Sequence, residues 1–471
     1  MKAAIHSHDQ PGKARLRPQE PFARIAPLLK AALLLGVCGG FALATVLTIT
    51  QSLPTMLGSW WVALVQAHGH LQLYGWSGLF VVGVSFHFLP RLRGTPIALP
   101  HLLPWFLGFL MSGLVLRALS QPLIALIDHP LWRVLLVVTG ILEAGALLGF
   151  MAIFFRMSRN GPPFASRPAF VSIFPLLVLA FSALGLAGVS NLYNVIQASM
   201  GAGIVPTGGD ELNITLGLLG FLLPVAFAMS ARALPMYAGL SGFPPRTLRL
   251  LTVSYALGLF LLCLSFFQIP WQPALNALGM CCIGGTILMF IGVFLRLMLT
   301  RGQLPQHIKK LATEPTTVAQ SYKTRVSDEG KAYGPFVALV ASSYLWAMLG
   351  GILLLADGLS VLISGSVLVD IDIIRHSLTI GFISLLISGI APRMLPGFSG
   401  KHIASASLVR ATLWLGNIAA LLRVGVLLLS PLASMVYPPT RTISELLFAL
   451  SGPIGLIFAT CLLINIWPTL R

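Results

Sequence analysis

Long apolar runs separated by short polar, proline- or glycine-containing stretches set the pattern of the chain from end to end. Twelve runs reach about 20 residues, the length an α-helix rising about 1.5 Å per residue needs to cross roughly 30 Å of hydrocarbon. They fall near 27–51, 62–90, 101–122, 131–155, 169–194, 212–236, 248–268, 274–299, 334–356, 371–395, 405–430 and 444–468. None shows the alternation over ten residues or so that marks a membrane barrel strand, and open sheet edges cannot sit in lipid. The predicted class is all-α: one transmembrane domain of twelve helices over 27–471, preceded by a basic segment, 1–26.

Polar and helix-breaking positions recur within that pattern. Aligned without gaps, spans 2, 6 and 10 carry His70, Gly75, Pro90 and Gly94; Thr215, Gly220, Pro235 and Gly239; and His376, Gly381, Pro396 and Gly400. A leucine precedes each proline (Leu89, Leu234, Leu395), and a basic residue lies three before it (His87, Arg232, Arg393). A match recurring every four spans predicts three pseudo-repeated arcs of four helices about a pseudo-threefold axis. The proline is expected to end or kink each span and the glycine to relieve the turn.

Composition agrees with a membrane domain. Of 471 residues, 56% are hydrophobic and 9% charged, with mean hydropathy +0.88, against roughly a quarter charged in ordinary soluble domains. The net charge of +17 follows topology rather than a nucleic-acid surface: 25 of the 30 Lys and Arg lie in the termini and even-numbered loops, leaving Arg117, Arg133, Arg375, Arg423 and Arg441 toward the other side. This predicts a multi-pass protein of the bacterial inner membrane with both termini cytoplasmic and no secretory signal, its partner the lipid bilayer and not nucleic acid. The polar, basic stretch at about 300–332 reads as a cytoplasmic linker. Cys38, Cys263, Cys281, Cys282 and Cys461 lie in apolar spans without a CxxC pair and read as small packing residues. No GxxxxGK[ST], HExxH or CxxCH motif occurs.

The candidate chemistry lies in the histidines. Helical rise over the 20 residues between His70 and Pro90 places His70 and His376 near the outer side and His87 at the cytoplasmic edge. His87 has arginines as its repeat equivalents and reads as an interfacial anchor. Ionisable groups at membrane depth are expensive, and two imidazoles approaching from different helices suit a six-coordinate haem. His68, two residues before His70, points about 200° round the helix. It is a candidate for a second metal, a local hydrogen bond, or the ligand in place of His70. Arg375 and Arg423 could neutralise haem propionates or simply snorkel, and Glu143 is a mid-span carboxyl needing a proton, a partner or water. Asn191, Tyr193 and Asn194 could line the same cavity or satisfy helix packing.

"AHGHLQLYG" with "FHFLPRL", and "RHSLTIGFISLLISGIAPRMLPGFSG", resemble spans 2 and 10 of the NnrS family and, more distantly, of haem–copper oxidase subunit I. The resemblance implies twelve helices in three arcs and a low-spin haem b between histidines that map onto His70 and His376, with copper as a second candidate metal. It also implies a role in nitric oxide metabolism, as electron transfer with a redox partner or as binding of nitric oxide or another diatomic ligand. The oxidase resemblance also has a limit: spans 6 and 7 contain no histidine, and Ile374 and Leu378 flank His376 where a second haem ligand would stand. A dioxygen-reducing centre of the oxidase type is therefore not expected. A cofactor-free twelve-span transporter remains the rival reading, since repeated spans are common there too.

Overall fold

The computed structural model describes residues 22–53, 56–238, 240, 242–267, 269–300, 329–429 and 440–471. Most of the N-terminal segment, nearly all of the linker, Gly239 and the Arg441 side chain therefore lie outside the described residues.

Twelve helices are long and apolar enough to cross a membrane: α1 (Phe22–Gln51), α2 (Ser59–Arg93), α3 (Pro100–Ile127), α4 (Pro130–Arg159), α5 (Pro168–Met200), α6 (Thr207–Pro235), α7 (Pro245–Leu264), α8 (Gln272–Leu299), α9 (Phe336–Ser364), α10 (Ile371–Ser399), α11 (Ala406–Leu429) and α12 (Thr442–Leu470). No strand occurs among the described residues. Each predicted run became a helix, with ends differing by a few residues because polar first and last turns belong to the helix although hydropathy excludes them.

Sequence neighbours pack side by side, and α12 closes against α1. Three arcs result: α11–α12–α1–α2, α3–α6 and α7–α10. The last helix of each turns inward. The most apolar windows of α2, α6 and α10 are 83%, 78% and 78% buried, whereas no other helix exceeds 50%. The repeat found in sequence therefore marks the three central helices, cross-linked where Trp76 Nε1 on α2 donates to Ser384 Oγ on α10 at 3.1 Å.

The repeat extends to backbone geometry. In each central helix a π-helical stretch begins one residue after the aligned position: Leu71–Gly78 after His70, Leu216–Leu222 after Thr215, Ser377–Ser384 after His376. The aligned glycines sit inside these stretches where neighbours approach. A Cβ on Gly220 would lie 2.7 Å from Ala183 Cβ, and one on Gly381 2.7 Å from the Trp346 ring. The prolines of α2 and α10 do not end their helices. α2 continues past Pro90 to Arg93 and α10 past Pro396 to Ser399, and what stops each is the glycine, Gly94 at φ 73° and Gly400 at φ 70°, whose amide bonds back to the proline carbonyl.

Candidate functional site

A cavity of about 320 Å³ lies within the α11–α12–α1–α2 arc, closed by α10 and α6. His68, His70, His376, Arg375 and Arg423 all line it, so the five residues singled out in the sequence converge on one space although they come from α2, α10 and α11. They share the end of the bundle where α10 begins. Asp370 fixes that start by accepting from the Asp372 amide at 2.8 Å, which sets His376 about one and a half turns into the helix.

The ring nitrogens separate the histidines. His376 Nδ1 donates to the Asp372 carbonyl one turn back at 2.8 Å. His68 Nδ1 donates to the Gly40 carbonyl of α1 at 2.9 Å. A Cβ on Gly40 would lie 2.8 Å from the side-chain amide of Gln72, which would have to shift. Each backbone bond fixes the tautomer and ring orientation and leaves Nε2 as the lone-pair nitrogen, the usual arrangement of a metal-ligating imidazole. These two rings also lie within electrostatic reach of one another and share Arg423 and Asp372 as charged neighbours.

His70 has other company. Its Nδ1 lies 3.2 Å from Glu143 Oε2 of α4 and 3.2 Å from Arg117 Nη1 of α3, which is itself 3.8 Å from Glu143. Arg117 bonds Asn191 Oδ1 of α5 and donates through Nε to Gln121 at 2.9 Å; Asn191 donates to Glu143 at 2.9 Å, and Gln121 to Gln66 at 2.9 Å. Arg117 and Glu143 are almost fully buried, so this is a closed ionic cluster inside the α3–α6 arc. Sequence reading missed Arg117, Gln66 and Gln121 in it. The available signal was a pair of opposite charges, Arg117 and Glu143, deep in adjacent apolar spans.

At the rim, Arg375 pairs with Glu211 of α6 and lies 3.8 Å from Asp372. Arg423 lies 4.0 Å from Asp372, stacks 4.5 Å above the Phe448 ring, and leaves its buried Nε without a partner. Neither reaches out from the bundle as a snorkelling side chain would. Asp372, which the sequence reading overlooked, is the anion they share. Gly69, between the two α2 histidines, also lines the cavity, and a Cβ there would meet nothing within 4 Å. Imidazoles with Nε2 left over, two arginines at the rim and an open glycine floor fit a bis-histidine haem, whose propionate charge the guanidinium groups would offset. No group of three or more His, Cys, Asp or Glu able to hold a metal occurs among the described residues.

Other residues sit elsewhere than expected. His87 is no interfacial anchor: it is 2% exposed, its ring centroid 3.7 Å from that of Phe398 and 5.7 Å from that of Phe22. Asn194 donates to the Gly209 carbonyl at 2.8 Å, Tyr193 is exposed, and neither lines the cavity. Cys38 is exposed on the bundle surface rather than packed inside.

No protein-family model matches the chain, and comparison with curated proteins finds no match. Among solved structures it is similar to a haem–copper terminal oxidase determined as a dimer by cryo-electron microscopy, with TM-score 0.65 and 13% identity over 95% of this chain and 83% of that one. The chain is a membrane protein with twelve apolar helices among the described residues and the all-α fold of that oxidase chain.

Proposed function

We propose that the chain is a membrane haem protein that binds one haem b between α2 and α10, with His376 and His68 as the axial ligands and Arg423 and Arg375 facing the propionates. The observation that carries this is the matched tethering of two rings lining one cavity, each with Nδ1 committed to a backbone carbonyl and Nε2 left over. The register of the repeat points instead to His70 with His376, and Nε2 of His70 is left over as well, but its charged neighbours are Arg117 and Glu143 rather than the Arg423 and Asp372 that His68 and His376 share. The fold likeness supports a haem in a bundle of this kind.

Bound here, the haem would supply one-electron transfer at an iron with both axial positions filled. The protein's part is to fix the two imidazoles, offset propionate charge with Arg423 and Arg375, and exclude water with Phe41, Leu73 and Phe448. We infer electron transfer with a redox partner as the principal task, of the NnrS type and linked to nitric oxide metabolism. A diatomic ligand would reach the iron only by displacing a histidine. Positive charge in the even loops supports an inner-membrane protein with cytoplasmic termini.

Single alanine variants test the ligand set. His376→Ala and His68→Ala should each abolish the low-spin spectrum or convert it to high-spin, while His70→Ala and His87→Ala keep it. A low-spin spectrum that survives His68→Ala and is lost with His70→Ala returns the ligand to His70, and one that survives His376→Ala overturns the site.

A further inference from the structure

The α7–α10 arc encloses a second cavity, of about 620 Å³, closed by α6. The repeat relates it to the first. Where the first lies between α2 and α10, the second lies between α10 and α6, so the positions of His68 and His376 in the first correspond to Ile374 and Thr215 in the second. Both Ile374 and Thr215 line it. The second pore has thus kept its space and lost both imidazoles, and no histidine lines it at all.

Its lining is graded. Glu211, Gln272, Asn276 and Asp357 stand where their helices begin or end at the histidine end of the bundle, while Leu218, Leu219, Met280, Leu354 and Leu378 form the deeper walls. The side-chain amides of Gln272 and Asn276 make no hydrogen bond among the described residues. Asp357, by contrast, is engaged by the Leu368 and Val369 amides at 2.6 and 3.3 Å. Ile214, Leu218, Asp370 and Arg375 line both cavities, so the two spaces share a wall.

We propose that this second cavity binds the ring of a lipid-soluble quinone. A pore of this volume, apolar within and carrying free amides at its mouth, suits an uncharged, planar, lipophilic ring with carbonyl or hydroxyl oxygens at its edge. The amides of Asn276 and Gln272 can donate to a carbonyl or accept from a hydroxyl, and no metal ligand is required. A second bis-histidine haem is excluded, because no histidine lines this cavity. A phospholipid would fill the apolar part but gives the amides no rigid partner and would not be selective for ring oxygens. The assignment rests on the cavity itself and stands whether or not the first cavity holds haem.

The test uses the purified full chain in detergent with decylubiquinone as probe, followed by photolabelling with an azido-quinone and mapping of the labelled peptides. The expected result is saturable binding at about one site per chain and labelling in α6, α8 or α10 that excess decylubiquinone suppresses. Asn276→Leu should weaken binding by about tenfold, the loss expected for one unpaired polar contact, and Thr215→Trp, which fills the pore, should abolish it. Variants are compared only when they elute as the wild type does. Absent or non-saturable binding, labelling confined to other helices, equal protection by a phospholipid at the same concentration, or two haems per chain would each overturn the proposal.

Discussion

Arg117 donates to four different partners or lies beside them, and among these Glu143 is the carboxylate that offsets its charge. Both are buried, Glu143 at 0% and Arg117 at 1% exposure, and Arg117 Nη2 and Glu143 Oε1 remain without partners. Removing one charge from such a pair strands the other, at about 3–5 kcal/mol, whereas replacing both with apolar residues of similar size is often near neutral. Glu143→Leu should therefore lower the melting temperature in detergent sharply, and Glu143→Leu combined with Arg117→Leu should recover most of the loss. A double variant as unstable as the single one would show that the cluster is not held by this pair. His70 belongs to the same cluster, which register alone could not reveal: spacing fixes depth and helix, but the partners of the two α2 histidines come from α1, α3 and α4.

At the scale of helices, hydropathy sufficed to place all twelve, because each must bury an apolar length set by the bilayer. The gapless repeat marks the three helices that the structure places at the centre. What it could not show was the π-helical stretch after each aligned residue, since no residue type demands one, or that glycine rather than proline stops the helix. Close crossings were equally hidden. Gly284 of α8 meets α9 so closely that a Cβ would lie 2.7 Å from the Gly351 carbonyl oxygen and 2.8 Å from the Leu355 nitrogen, whereas a Cβ on the adjacent Gly285 would meet nothing within 4 Å. Gly284→Ala should cost about 1–3 kcal/mol by overpacking the crossing. Gly285→Ala should be neutral or stabilising by up to about 1 kcal/mol, the helix-propensity difference. Thermal unfolding of the two variants in detergent checks the contrast, and equal effects would mean that the α8–α9 crossing is not set by Gly284.

Taken whole, the molecule encloses three pores with three contents. One holds the histidine cavity, one an amphipathic cavity without histidine, and one the Arg117–Glu143–Asn191 cluster. The repeat explains the shared framework, and the side chains at equivalent positions explain why only one pore carries a pair of imidazoles. That pair bears the central claim, a low-spin haem held within the α11–α12–α1–α2 arc. The most direct measurement is the visible spectrum of the full chain, purified after expression with ample haem, recorded oxidised and reduced and again as the pyridine haemochrome. The account predicts about one haem b per chain, with a Soret band and the resolved α and β bands of a six-coordinate low-spin iron on reduction. Protein that is folded yet shows no Soret band would contradict it and favour a cofactor-free transporter; a wholly high-spin spectrum would contradict the pairing of two histidines.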